Sequence, residues 1–195
     1  MRSQHPFGGL IMLSKEQILE KAIYILNTHG ISHLSMRSIA KELNVAAPSL
    51  YFHIKDKQEI YQLIVEHISS AVLSTIIPES NLQDICFALR TELKKIKDSP
   101  HIFIETPPIT DNRNELIRVV MKKLEKFGVS KKHFMTSGNL LNNYVLLFVI
   151  DETIVPIDNA EIPKFFPLIE MLDYDEQFEF GINVILEGLK ISAKK

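Results

Sequence analysis

Apolar residues recur every three or four positions over most of this chain, and polar punctuation cuts the pattern into helix-sized pieces. Ile18, Ala22 and Ile25 begin it on one helix face. Ahead of them, Ser14 and Gln17 have capping-box spacing and Leu13 and Ile18 the spacing of a hydrophobic staple, and Gly30 ends the helix. A short second helix follows, with Ser35 as its N-cap and Ile39, Ala40 and Leu43 as a narrow apolar face. Asn44, a residue type that tolerates left-handed backbone, makes a tight turn, and Val45 pins the next helix back on the last. That third helix is read over 47–53, with Pro48 in its first turn, where no amide bond is lost, and Leu50 pointing inward. Ser49, Tyr51 and His53 cannot all share the inward side, so a polar and aromatic surface faces out. A fourth helix, over 57–77, carries Ile60, Leu63, Ile64, Ile68, Val72 and Ile76 and ends at Pro78.

The remainder also reads as helix. Residues 82–97 form an amphipathic segment striped by Ile85, Leu89, Leu93 and Ile96, and Ser99-Pro100 breaks it. Ile102-Phe103-Ile104 reads as a short apolar turn, and Thr106-Pro107-Pro108 forces extended backbone. The next helix covers 111–127 and stops at Gly128; Ser130 caps a long one over 131–151 that is apolar nearly all round after Leu140. Residues 156–167 read as a loop or broken helix, with a short helix over 164–172, and Asp173 with Glu176 caps a last helix over 175–192. No repeat is visible and no segment alternates as a strand. The predicted fold is all-α: an arm over 1–12, a three-helix head over 13–60, and a larger helical body over 61–195.

Composition changes this picture little. The chain is 46% hydrophobic and 24% charged, as expected of a soluble globular protein. Its single cysteine, Cys86, excludes an internal disulfide framework and suits a reducing cytoplasm. Pro6, Gly8 and Gly9 interrupt the first twelve residues, so neither a signal peptide nor a membrane anchor is predicted. The net charge of −2 does not advertise a nucleic-acid binder, but its distribution is uneven. Seven Lys/Arg face five Asp/Glu in residues 1–60, against fifteen and nineteen in 61–195. A basic head on an acidic body fits phosphate contacts at one end.

The helix pair over 34–57, LSMRSIAKELNVAAPSLYFHIKDK, has the helix-turn-helix pattern, whose second helix enters the major groove of DNA. Periodicity alone also accommodates an ordinary pair of core helices. Three pieces go further: the Gly30-Ile31 break, the helix start Leu34-Ser35-Met36-Arg37-Ser38-Ile39-Ala40, and Pro48-Ser49-Leu50-Tyr51-Phe52-His53 followed by Lys55-Asp56-Lys57. With them, residues 14–64 resemble the DNA-binding domain of the TetR (tetracycline-repressor-like) family of transcription regulators. The resemblance implies a ligand-responsive repressor that binds a palindromic operator as a homodimer.

Reach and donor type select the DNA candidates. Ser49, Tyr51, Lys55 and Lys57 suit phosphate oxygens, as do the amides at the helix starts near Ser35 and Ala47, the second flanked by Ala46 and Pro48. Arg37 suits a guanine edge or the groove wall. By resemblance, Tyr51, Phe52 and His53 lie at the DNA face, with Phe52 half in the core. Ala47 stands where tetracycline repressors carry a base-reading glutamine, so the resemblance implies a different operator.

In the body, the resemblance implies a small-molecule pocket. The candidate lining is Phe87, His101, Phe103, Ile104, Met135, Asn139, Asn143, Tyr144, Leu147 and Phe148, for an apolar effector held by one or two hydrogen bonds. By loose alignment, Phe103 stands where tetracycline repressors hold magnesium, which argues against such a ligand. A dimer through the last two long helices, as in the family, would use Leu140, Leu141, Val145, Phe178, Gly181, Val184, Ile185 and Gly188. Gly181 and Gly188 lie seven apart on one face, and packing within one chain accommodates that spacing equally well.

No catalytic constellation, cofactor motif or metal site is predicted: there is no glycine-rich phosphate loop, no paired cysteines and no HExxH. His101 and Glu105 have the spacing of two ligands on one helix face, so a helical enzyme using them or Asp151 is a competing reading. A DNA-binding or interaction module whose pocket is filled by side chains is another.

Overall fold

The computed structural model describes residues 13–154 and 173–193, which form helices joined by turns, with no strand among them. They fall into two compact units, divided between Ile60 and Tyr61.

The first unit contains α1 (Lys15–His29), α2 (Met36–Glu42) and α3 (Ala47–Leu50). Ser14 caps α1 with a full capping box, its hydroxyl accepting from the Gln17 amide at 3.3 Å while the Gln17 side chain accepts from the Ser14 amide at 3.0 Å. Ser35 and Ser38 repeat the device on α2. The turn after α2 is a Schellman motif centred on Asn44, whose φ of 54° is left-handed. The Val45 amide reaches back to the Ala40 carbonyl and the Asn44 amide to that of Lys41. Ile18, Ala22, Ile25, Leu26, Leu34, Ile39, Ala40, Leu50 and Ile54 are buried as one small core. Truncating Leu50 within it would cost about 2–5 kcal/mol.

α3 is shorter than the 47–53 read from sequence. Beyond Leu50 the Tyr51 and His53 amides bond three residues back, to Pro48 and Leu50, which is turn geometry. The turn exists because Ile54 must also enter the core, after which Asp56 starts α4 (Lys57–Thr75) by accepting from the Glu59 amide. Glu59 fastens this corner, accepting from the Lys55 amide at 2.8 Å and pairing with Lys15 at 2.6 Å. Those two partners hold its carboxyl below the usual carboxylate value.

The second unit takes in α4 from Tyr61 onward, α5 (Leu82–Lys94), α6 (Ser99–Glu105), α7 (Asp111–Lys126), α8 (Phe134–Ile154) and α9 (Tyr174–Ala193). Several boundaries differ from the sequence reading. The segment read as an apolar turn is helix α6, because Pro100 lies in a first turn, where proline initiates rather than breaks. The bend before it is made by Asp98 at φ 62°. Ser130 offers no side-chain cap; a short 3-10 turn over Lys131–His133 precedes α8 instead. The cap predicted for the last helix is present: Asp173 accepts from the Glu176 amide at 2.8 Å, and Glu176 from that of Asp173 at 3.3 Å. The loop and short helix read over 156–172 lie outside the described residues.

α8 is covered by α5, α6, α7 and α9, which accounts for most of its apolar surface. The α5–α8–α9 junction is locked by Arg90, only 5% exposed. It makes a two-pronged bond to Glu152 (2.9 and 2.8 Å) and a third to Asp175 at 2.6 Å. Its guanidinium also lies 4.8 Å from the ring centre of Phe178. Burial pushes the Glu152 carboxyl up, but the bonds and charges of Arg90 and Lys94 outweigh it and hold the carboxyl below its usual value.

Candidate functional site

The first unit presents one coherent outward surface. α2 and α3 cross through Ala40, Leu50 and the Asn44 turn, and that crossing points the other sides of both helices away from the core. Arg37, Ala46, Pro48, Tyr51, Phe52 and Lys55 are exposed, and Ala47, Ser49, His53 and Lys57 are partly so. Tyr51 is 57% exposed and Phe52 88%, so Phe52 is not half in the core as the sequence suggested. Leu50 and Ile54 take the inward positions and leave no room there for a second aromatic ring. Ser35 is exposed, yet its hydroxyl is committed to the Ser38 amide. An exposed tyrosine hydroxyl, a guanidinium, two ammonium groups and the amides of a helix start on one small surface suit a phosphate backbone and the groove beside it.

The second unit contains a partly open cavity of about 350 Å³ among α5, α6, α7 and α8. Leu82, Ile85, Cys86 and Leu89 come from α5, and Phe103 and Ile104 from α6. Thr106 and Pro108 follow; Arg113, Leu116, Ile117, Val120 and Met121 come from α7. Phe134, Met135, Gly138, Asn139, Leu141, Asn142, Asn143, Val145 and Leu146 of α8 complete it. Exposed Ile104, Pro108, Met135, Asn139 and Asn143 mark its open side, while Phe103, Leu116 and Cys86 are buried. Burial pushes the Cys86 thiol up to about 12, so it is an inert wall group.

The structure brings five of the ten predicted effector residues to this cavity: Phe103, Ile104, Met135, Asn139 and Asn143. The others lie elsewhere. Phe87, Tyr144 and Phe148 pack round Phe178, with ring centres 4.9, 5.6 and 5.0 Å away, on the α9 side of α8. Leu147 is exposed, and His101 on α6 is outside the lining. Among the described residues no group of three or more His, Cys, Asp or Glu could hold a metal.

Sequence reasoning missed Arg113, the one charged residue of the cavity lining among the described residues. Its Nη1 is buried without a hydrogen-bond partner, and its guanidinium carbon lies 4.1 Å from the ring centre of Phe103. Burial lowers it from the ordinary 12.5 to about 10, so it stays charged at neutral pH. The signal was present: Arg113 falls on the same helical face as Leu116, Ile117, Val120 and Leu124. Next to it, Asn112 donates its backbone and side-chain amides to Glu66 of α4, at 3.0 and 2.8 Å.

The predicted interface residues also divide. Leu141, Val145 and Phe178 are buried within the chain, the first two in the cavity wall and the third under its aromatic neighbours, so they offer no surface to a partner. Gly181 is explained internally: a Cβ there would meet the Tyr144 hydroxyl at 2.0 Å. Leu140, Val184 and Gly188 are exposed, Ile185 partly so, and with Leu147, Phe180 and Ile191 they leave an apolar outer surface on α8 and α9.

Residues 18–64 match the family model described as bacterial regulatory proteins, tetR family. The tetracycline repressor protein class E of Escherichia coli is 25% identical over 191 residues, covering 90% of each chain. ActR of Streptomyces coelicolor, in complex with actinorhodin, superposes with a TM-score of 0.81 over 94% of this chain and 99% of ActR, at 22% identity. BioQ bound to its natural double-stranded DNA operator gives a TM-score of 0.69 over 91% and 98%, at 25% identity. No helix among the described residues is long and apolar enough to cross a membrane.

Proposed function

From the match to the tetR family of bacterial regulatory proteins and the geometry above we infer that this chain is a member of that family and a ligand-responsive transcription regulator. It acts in the cytoplasm as a repressor, binds a palindromic operator as a homodimer, and is released when an effector occupies the cavity. One observation carries the reading: a helix-turn-helix with an exposed donor surface occurs in the same chain as a 350 Å³ cavity in the helical body. A closed, fully packed body would have favoured a DNA-binding module without a ligand.

In this reading Ser49, Tyr51, Lys55 and Lys57, with the amides at the helix starts near Ser35 and Ala47, hold phosphates. Arg37, with Ala47, Phe52 and His53 beside the groove, reads or lines bases; Ala47 can offer only methyl contact. A second copy covers the apolar outer surface of α8 and α9 and supplies the second head that a palindrome needs. The effector acts through α7, whose Asn112 is tied to Glu66 of α4, the helix that continues from the first unit into the second. Release requires only that the ligand favour one of two arrangements of that link.

Selection of genomic fragments by the purified full chain, followed by footprinting, tests the reading. A recovered sequence protected over two symmetric half-sites about one helical turn apart is expected. Recovery of random fragments alone would overturn it.

A further inference from the structure

We propose that the cavity takes an amphipathic anion, a carboxylate on an apolar body, with the Arg113 guanidinium as its anchor. The assignment rests on reading the cavity as the effector site and replaces an apolar molecule held by hydrogen bonds with one held by charge. Arg113 is the argument. A guanidinium removed from water is ordinarily paired with a carboxylate, because an unpaired buried charge is strongly unfavourable. Here the described cavity lining contains no acidic residue, and Arg113 Nη1 is buried without any hydrogen-bond partner. The Phe103 ring, its centre 4.1 Å from the guanidinium carbon, makes a cation–π contact that uses none of the guanidinium's hydrogen-bonding capacity. Those N–H groups form a fork that matches two carboxylate oxygens.

The remaining wall decides the body of the ligand. Leu89, Leu116, Val120 and Val145 are apolar, and the Thr106 hydroxyl is already spent on the Ile102 carbonyl at 2.6 Å. At the roughly 30 Å³ that a water-sized group occupies in a liquid, 350 Å³ holds about a dozen non-hydrogen atoms. A cation is repelled by Arg113, and a neutral apolar molecule leaves its Nη1 unsatisfied. An anion also acts at the right place, since Arg113 follows directly on the Asn112 that Glu66 holds.

Calorimetric titration of the full chain with two matched pairs, decanoate against decanamide and 2-naphthoate against 2-naphthamide, tests the proposal. At least one acid is expected to bind once per chain and about ten- to a hundredfold more tightly than its amide, the span of hydrogen bonds to charged groups. Arg113→Met is expected to bring the acid down to the affinity of the amide, with Arg113→Lys in between; Arg113→Gln serves if the methionine variant fails to fold. Equal binding of acid and amide, a preference that survives Arg113→Met, or no binding of either acid at millimolar concentration would overturn it. The regulator reading stands or falls separately. Acids that bind through Arg113 without changing DNA affinity refute effector-driven release and leave this assignment intact. Amides that bind and release DNA as well as the acids do the opposite.

Discussion

Replacing Arg113 by methionine should make the ligand-free protein more stable. The side chains are similar in length, so the change removes a charge from an apolar wall while keeping its volume. The guanidinium falls from 12.5 to about 10 because it is buried, and that difference corresponds to roughly 3 kcal/mol against its charged form in the folded chain. Stacking on Phe103 returns about 0.5–2 kcal/mol of this. The expected gain is therefore about 1–3 kcal/mol, or about 2–4 °C in Tm for each kcal/mol at this chain length. The pH dependence follows from the direction of the shift. Below about pH 10 the group is charged in both folded and unfolded chains, so the gain should be constant from pH 6 to 9. Above pH 10 the unfolded wild type binds more protons than the folded one, the wild type gains stability, and the difference should narrow. Urea unfolding in carboxylate-free buffer, followed by far-ultraviolet circular dichroism, measures it. A variant less stable than wild type by 1 kcal/mol or more would show that Arg113 is well satisfied in the free protein, contrary to the argument for its role.

Four further outcomes are expected. Lys57→Ala should weaken binding to all DNA sequences and lower the salt slope by about one, whereas Arg37→Ala should change sequence preference; anisotropy titrations at several salt concentrations separate the two. Gly181→Ala should displace the Tyr144 ring from Phe178 and from the Gln177 and Phe178 carbonyls, costing about 1–3 kcal/mol in chemical denaturation. Glu152→Gln should destabilise at neutral pH and flatten acid unfolding. The Glu152 carboxyl is held below its usual value, so its contribution is present above the ordinary carboxylate range and is lost as pH falls through the folded value, which a pH series of unfolding curves reads. Gly138→Leu should grow into the cavity from a position with open space around its Cα, abolishing effector response while operator affinity in gel shifts stays unchanged.

Local chemistry was legible wherever a short segment carried its own instructions. The capping box at Ser14, the N-cap at Ser35, the left-handed turn at Asn44 and the cap at Asp173 each depend on side chains within a few residues, and each is present. Helix α6 was misread because proline both starts and stops helices, and the choice depends on Asp98 taking the bend just before it. The cavity was half legible. α8 is apolar nearly all round after Leu140, so periodicity does not say which of its sides meets the cavity. Tyr144 and Phe148 lie one side of that face and turn to Phe178, while Asn139 and Asn143 turn to α7. Gly181 read as a helix-contact residue, and so it is, though its contact is Tyr144 of the same chain. Arg113 was overlooked because a single arginine in a polar helix start looks solvated until the apolar face beneath it is drawn.

In this reading one chain couples occupation of the cavity to release of DNA. A gel-shift titration of the purified protein on DNA flanking its own gene, with excess competitor, at two salt concentrations and with and without decanoate or 2-naphthoate, tests it most directly. A discrete, competitor-resistant complex is expected, weakening with salt and dissociating with at least one of the acids in wild type but not in Gly138→Leu. A competitor-resistant complex on that DNA that neither acid shifts would contradict it.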